Sequence, residues 1–154
     1  MLSYEGIFFD EENVKIIHSL ESRQLPNIND EIHCTFKYHP NESEIFNDIV
    51  GKSFEVYLIG YGNDGKNSGF QVSFSDELTP YYINYDEEDS KKLKVPHITA
   101  SLADGAEAFN TKNLKFKPLE KPIKVVGKFG YWIKNEDEEH LSFEQWPINK
   151  NTIK

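Results

Sequence analysis

Apolar and polar positions alternate along several short stretches of this chain, and only two stretches carry a helical spacing instead. Residues 4–9 and 31–38 predict strands, the second with Ile32, Cys34 and Phe36 on one face. Between them Asp10 caps a predicted helix in which Val14, Ile17 and Leu20 share a face and Glu11 pairs with Lys15. Residues 24–30, with Pro26 and two asparagines, read as a loop. A second helix is expected over residues 41–51. It runs from an Asn41 cap, completed by Glu44, through Ile45 and Ile49 to a Gly51 stop.

Residues 53–61 and 69–74 predict a hairpin about Asn63-Asp64-Gly65. Residues 76–94 are polar, rich in tyrosine and charged, and read as an irregular connection. Further strands are expected over residues 95–101, 122–134 and 141–143, with a turn at Ala103-Asp104-Gly105 and a charged turn over 136–140. Residues 149–154 are expected to fray. A degenerate internal echo runs through this order. About 20 to 25 residues beyond His33 and His97 comes a β-type run, at 53–57 and 122–126, and each goes on to a glycine and aromatic stretch, Gly60-Tyr61-Gly62 or Gly130-Tyr131-Trp132. The pattern implies an α+β protein, a single domain over 1–154 with lobes at 4–75 and 95–143 joined by 76–94.

The chain has 154 residues, among them 11 Phe, 8 Tyr and 2 Trp, enough to bury one core. Its formal net charge of -9 repels the backbone of long nucleic acids, yet a small anion held by local lysines remains compatible with it. Cys34 is the sole cysteine, which excludes an intramolecular disulfide framework and a multi-cysteine zinc site. Neither a signal-peptide pattern at the N-terminus nor a run of about 18 apolar residues is present. The expectation is a cytoplasmic monomer that neither binds nor crosses a membrane and holds no metal or cofactor.

Two strings carry the candidate chemistry: His33-Cys34-Thr35 and His97-Ile98-Thr99. On a strand, residues two apart share a face, so each string presents an imidazole beside a hydroxyl. Two imidazoles supply the proton acceptor and proton donor that attack on a phosphodiester requires near neutral pH. Two hydroxyls supply hydrogen bonds to the non-bridging oxygens. In-line displacement sets the attacking and leaving oxygens on opposite sides of phosphorus, so the two bases belong on opposite walls. Cys34 alternates away from His33, against a metal-chelating role. His39, His140 and His18 read as surface or capping residues, and the acidic runs 86–89 and 136–139 as solvated faces.

On these two motifs the chain resembles the 2H phosphoesterase superfamily, which carries paired His-x-Thr/Ser motifs on the inner strands of a two-lobed α+β fold. The resemblance implies antiparallel sheets about a central cleft with helices outside, His33, Thr35, His97 and Thr99 as catalytic residues, and no metal. It implies a phosphodiesterase acting on a small cyclic nucleotide or a cyclic or 2′–5′ oligonucleotide, such as an immune second messenger. A nucleoside 2′,3′-cyclic phosphate from RNA metabolism is the alternative substrate. A nucleotide-binding module with the same fold but no catalysis, and a structural interaction domain with no ligand, are the other readings. Ala100 and Ser101 follow Thr99 where a bulkier apolar residue is common in that family. Residues expected to contact the substrate are Tyr4, Lys37, Tyr81, Tyr82, Tyr131, Trp132 and Trp146. Tyr81 and Tyr82 lie close in sequence to Lys91, Lys92 and Lys94, a base-stacking and phosphate-attracting combination. Phe9 and Lys128 are further candidates for the cleft lining, and Glu144-Gln145-Trp146 for a closing segment.

Overall fold

The computed structural model describes residues 2–41, 45–134 and 139–145. Eight strands form one antiparallel sheet: β1 (Leu2–Phe9), β2 (Asn27–Ile28), β3 (His33–Tyr38), β4 (Ser53–Asn63), β5 (Asn67–Phe74), β6 (His97–Leu102), β7 (Lys117–Lys134) and β8 (Glu139–Ser142). Their order is β2-β6-β5-β4-β7-β1-β3, with β8 beside the end of β7. One α-helix, α1 (Glu11–Ser19), and short 3-10 turns at Thr79–Tyr81 and Ala108–Asn113 complete the α+β architecture. No helix among the described residues is long and apolar enough to cross a membrane.

The helix forms where the spacing places it. Asp10 accepts from the Asn13 amide at 3.0 Å, and the buried Val14 and Ile17 turn inward toward β1 and β7. The second expected helix is absent over its described residues 45–51. Residues 45–51 make turns, because the Phe46 amide donates to the Glu5 carboxylate at 3.4 Å and the Gly51 amide to the Phe129 carbonyl at 2.8 Å. Between these two bonds the Ile49 and Val50 amides turn back to the Phe46 carbonyl, which makes a single local turn. Ile45 and Ile49 still reach the core, and Glu44 lies outside the described residues.

The hairpin about Asn63-Asp64-Gly65 forms as expected, with Gly65 at φ 85°, a conformation that favours glycine. β7 starts before residue 122, at Lys117. Its first part pairs only with β4, and its register slips between Leu58↔Ile123 and Gly60↔Pro118. That slip falls beside Pro122, which has no N–H to give to the ladder. From Gly127 onward β7 pairs with β1.

This partner exchange divides the chain differently from the expected lobes. β4 and β5 belong with β6, whereas β1 and β3 belong with the second part of β7. The two ends of the β3-β1-β7-β4-β5-β6 row mirror one another about the β4–β7 pair. β3 and β6 are not sheet neighbours, yet they come together across the core, and the Cys34 thiol lies against the His97 backbone. Burial pushes that thiol up to about 12, so it is packing and not a nucleophile.

Candidate active site

The two motif strands are built alike to the residue. His33 opens β3 and His97 opens β6. Between β1 and β3 the pairing steps from Glu5↔Lys37 to Gly6↔Thr35, which leaves Phe36 as an extra residue. Between β5 and β6 it steps from Ser68↔Ser101 to Gly69↔Thr99, which leaves Ala100 extra. Each motif threonine is therefore followed by a β-bulge, a device that bends a strand and re-aims its side chains. A glycine faces each threonine because the backbones crowd there. A Cβ on Gly6 would lie 2.1 Å from the Cys34 carbonyl oxygen, and one on Gly69 2.3 Å from that of Ile98. On their other sides Gly6 pairs with Gly130 and Gly69 with Gly62, the glycines of the sequence echo.

His33, Thr35, His97 and Thr99 line one cleft of about 60 Å³, with Asn29, Tyr38 and Asn84 at its walls. His33 and His97 are each half-buried. The His33 Nδ1 lies 3.1 Å from the Glu31 carbonyl, and the His97 Nδ1 lies 2.7 Å from the Val95 carbonyl. A carbonyl can only accept, so Nδ1 carries the hydrogen in both rings, and Nε2 is left as the basic atom. Both histidines sit below their ordinary range. For His33 burial is the main cause, and the Glu31 carbonyl partly opposes it while the charge of His97 adds to it. For His97 burial again dominates, opposed by the Val95 carbonyl and reinforced by Lys94 and Lys112.

Aromatic rings back the first imidazole. Tyr4 stacks on His33 at 4.7 Å between centroids and Phe8 at 5.6 Å, and Trp132 lies parallel to Tyr4 at 6.3 Å. The Tyr4 phenol is pushed up to about 12, by burial first and then by the Glu31 carboxylate, so it stays neutral. The second motif is backed by hydroxyls and amides. The Thr99 hydroxyl donates to the Thr111 hydroxyl at 2.8 Å, and the Asn67 amide donates to the same Thr111 oxygen at 3.0 Å.

A wider pocket of about 490 Å³ adjoins the cleft and shares Tyr38 and Asn84 with it. Tyr38, Tyr85 and Phe109 line it with exposures of 43%, 49% and 51%, high for large rings. Lys94 sits over the Tyr38 ring at 4.9 Å and pairs with Glu87. Lys112 holds the other Glu87 oxygen at 2.6 Å, and the two lysines, Lys112 foremost, draw the Glu87 carboxyl down to about 2. Asp86 and Glu87 thus organise two cations near His97 and are not merely a solvated face.

The remaining expected contacts separate clearly. Lys37 lines the wider pocket and not the histidine cleft. Tyr82 is buried against Phe36 and Phe74, with its hydroxyl on the Lys94 carbonyl at 2.9 Å. Tyr81 donates to Asp48 and packs edge-on against Phe46 at 5.0 Å. Tyr131 is fully buried and donates to the Glu144 carbonyl at 2.6 Å. These three tyrosines are structural, since core demand for large rings outweighed their position in sequence. Trp132 donates its indole N–H to Glu139 at 2.7 Å, and Tyr4 supports His33 from behind. Phe9 and Lys128 line a different hollow, beside Asp10 and Phe143. Trp146 lies outside the described residues.

His18 is not a surface residue. Its Nδ1 is 2.8 Å from Glu21, a carboxylate with no side-chain exposure, and its Nε2 is 2.8 Å from the Asn29 carbonyl. Asn29, Tyr38, Asn84 and Thr111 were missed for a common reason: each reaches the cleft through contacts between segments distant in sequence, which no local spacing encodes. Among the described residues no group of three or more His, Cys, Asp or Glu side chains is placed to hold a metal ion.

No protein-family model matches this chain, and a search of curated proteins finds no match either. The cleft itself is what the functional reading stands on.

Proposed function

We propose that this protein is a phosphodiesterase of the 2H type that needs no metal and cleaves a small cyclic nucleotide or a cyclic or 2′–5′ oligonucleotide. The observation that carries this reading is the shared cleft. It holds two imidazoles in the same tautomer, each fixed through Nδ1 to the carbonyl two residues upstream, with a threonine beside each.

One imidazole, neutral at Nε2, takes the proton from the attacking water or ribose hydroxyl as its oxygen bonds to phosphorus. The other, protonated on both nitrogens, gives its Nε2 proton to the departing oxygen as that P–O bond breaks. The Thr35 hydroxyl donates to a non-bridging oxygen, where negative charge grows, and the Thr99 hydroxyl does the same once its hydrogen turns from Thr111 to the phosphate. A cleft of about 60 Å³ is well below the roughly 300 to 1,000 Å³ of ordinary ligand pockets, so it suits the phosphate alone. The adjoining pocket, with its exposed rings, then receives a nucleoside. The net charge of -9 disfavours a long polyanion. An oligonucleotide messenger fits this combination of a small phosphate cleft and a nearby aromatic pocket.

The test is incubation with 2′,3′-cyclic nucleotides, 2′–5′ oligoadenylates and cyclic dinucleotides in excess EDTA. Turnover of at least one is expected, and His33→Ala or His97→Ala lowers it by about 10² to 10⁴. Turnover that EDTA abolishes, or binding without cleavage by the wild type, contradicts the proposal. The second outcome identifies a binding module instead.

A further inference from the structure

β3 and β6 share no strand hydrogen bonds, so something else must fix the distance between the two motifs. The loops that precede them do this by crossing over. Asn29 lies just ahead of the first motif, and its side-chain amide donates to the Thr99 carbonyl of the second at 2.8 Å. Its backbone amide donates to the carbonyl of the next residue, Ala100, at 2.9 Å. Asn84 lies ahead of the second motif, and its side-chain amide donates to the Thr35 carbonyl of the first at 3.2 Å. Beside it, the Ile83 amide donates to the carbonyl of the next residue, Phe36, at 3.3 Å. The same four acceptors, a motif threonine and its bulged neighbour in each strand, are held from the opposite side.

We infer that Asn29 and Asn84 are positioning residues that clamp the opposing His-x-Thr strand through its threonine carbonyl, and that His18 with Glu21 anchors the Asn29 clamp. His18 bridges Glu21 and the Asn29 carbonyl, and the second Glu21 oxygen accepts from the Ser101 hydroxyl of β6 at 2.9 Å. Helix α1 and its end are thereby tied both to the clamping loop and to the strand it clamps. A bulged strand has lost part of its ladder and depends on such outside bonds for its aim. A site of this kind needs its groups held within about 0.5 Å.

This inference rests on the proposed phosphodiesterase reading for its kinetic arm only. Asn29→Asp keeps the shape and the acceptor that holds the Glu31 amide at 3.1 Å, but sets an oxygen against the Thr99 carbonyl. It is expected to lower kcat about 10- to 100-fold, with KM changed less than about threefold and the circular dichroism spectrum unchanged. In a His18→Gln background, where the Asn29 clamp has already lost its anchor, the same substitution should cost less than about threefold, whereas Asn84→Asp keeps its full effect there. Equal losses for the two substitutions in that background would mark a general loss of stability and overturn the inference. If the wild type cleaves nothing, the functional proposal fails, and side-chain amide exchange decides the clamp alone. The Asn29 NH₂ should exchange slowly in wild-type protein and faster in His18→Gln, whereas fast exchange in the wild type overturns it.

Discussion

Each candidate catalytic imidazole owes its role to one backbone carbonyl. The Glu31 and Val95 carbonyls fix Nδ1 as the donor, so Nε2 is the atom left for proton transfer in both rings. Burial holds both histidines below their ordinary value of 6.5, which keeps the base available but leaves little acid form at neutral pH. The profile of kcat/KM against pH is therefore expected to be bell-shaped with its maximum below pH 7. A monotonic rise into alkaline pH contradicts the assignment of two histidines. The His-x-Thr pairs were legible because strand alternation alone puts both side chains on one face. Asn29 and Asn84 were not, because their partners lie across the molecule, and His18 was not, because the carbonyl it meets sits in an irregular loop. Tyr81, Tyr82 and Tyr131 misled for the complementary reason: a ring near a motif in sequence is equally good filling for a core.

The strands were legible from alternation, and the bulges were not. An extra residue after each motif threonine leaves no mark on local pattern, although Gly6 and Gly69 are its trace in the partner strands. Gly69→Ala should push the Ile98 carbonyl away and also meet the Thr111 methyl, 2.6 Å from the added Cβ. The expected loss is about 1–3 kcal/mol in urea denaturation, accompanied by a fall in kcat. Wild-type stability and rate in that variant would contradict the close-approach account. The missing second helix has the same lesson at larger size. Ile45 and Ile49 have helical spacing, but the Glu5 carboxylate and Phe129 carbonyl capture the Phe46 and Gly51 amides and leave a single turn between them.

For the whole molecule, the repeat in sequence and the mirrored strand order describe one arrangement. The motif histidines lie 64 residues apart, yet exchange of partners along β7 brings their strands face to face. Lobes drawn by cutting the chain at 76–94 miss this, since β1 and β7 come from opposite ends of the chain. The half-buried histidines also give the fold a pH dependence. Their folded values lie below the unfolded value of 6.5, so near that pH the unfolded chain binds more protons. Their contribution is complete above about pH 6.5 and is lost as pH falls through it. The Tm should drop between pH 7.5 and 5.5, and the double variant His33→Gln/His97→Gln should flatten that drop. An unchanged slope would show that the rings are solvated. Asp64 and Glu87, whose carboxyls are drawn down by backbone amides and by lysines respectively, act only in a lower window, below their ordinary 3.8 and 4.5.

The most direct measurement is single-turnover cleavage, in excess EDTA, by wild type, His33→Ala, His97→Ala and the double variant. If both rings act on one phosphorus, each single substitution removes about 10² to 10⁴ in rate and the double removes little more than the worse single. Full activity in either single variant, or losses that multiply as for independent groups, would contradict it.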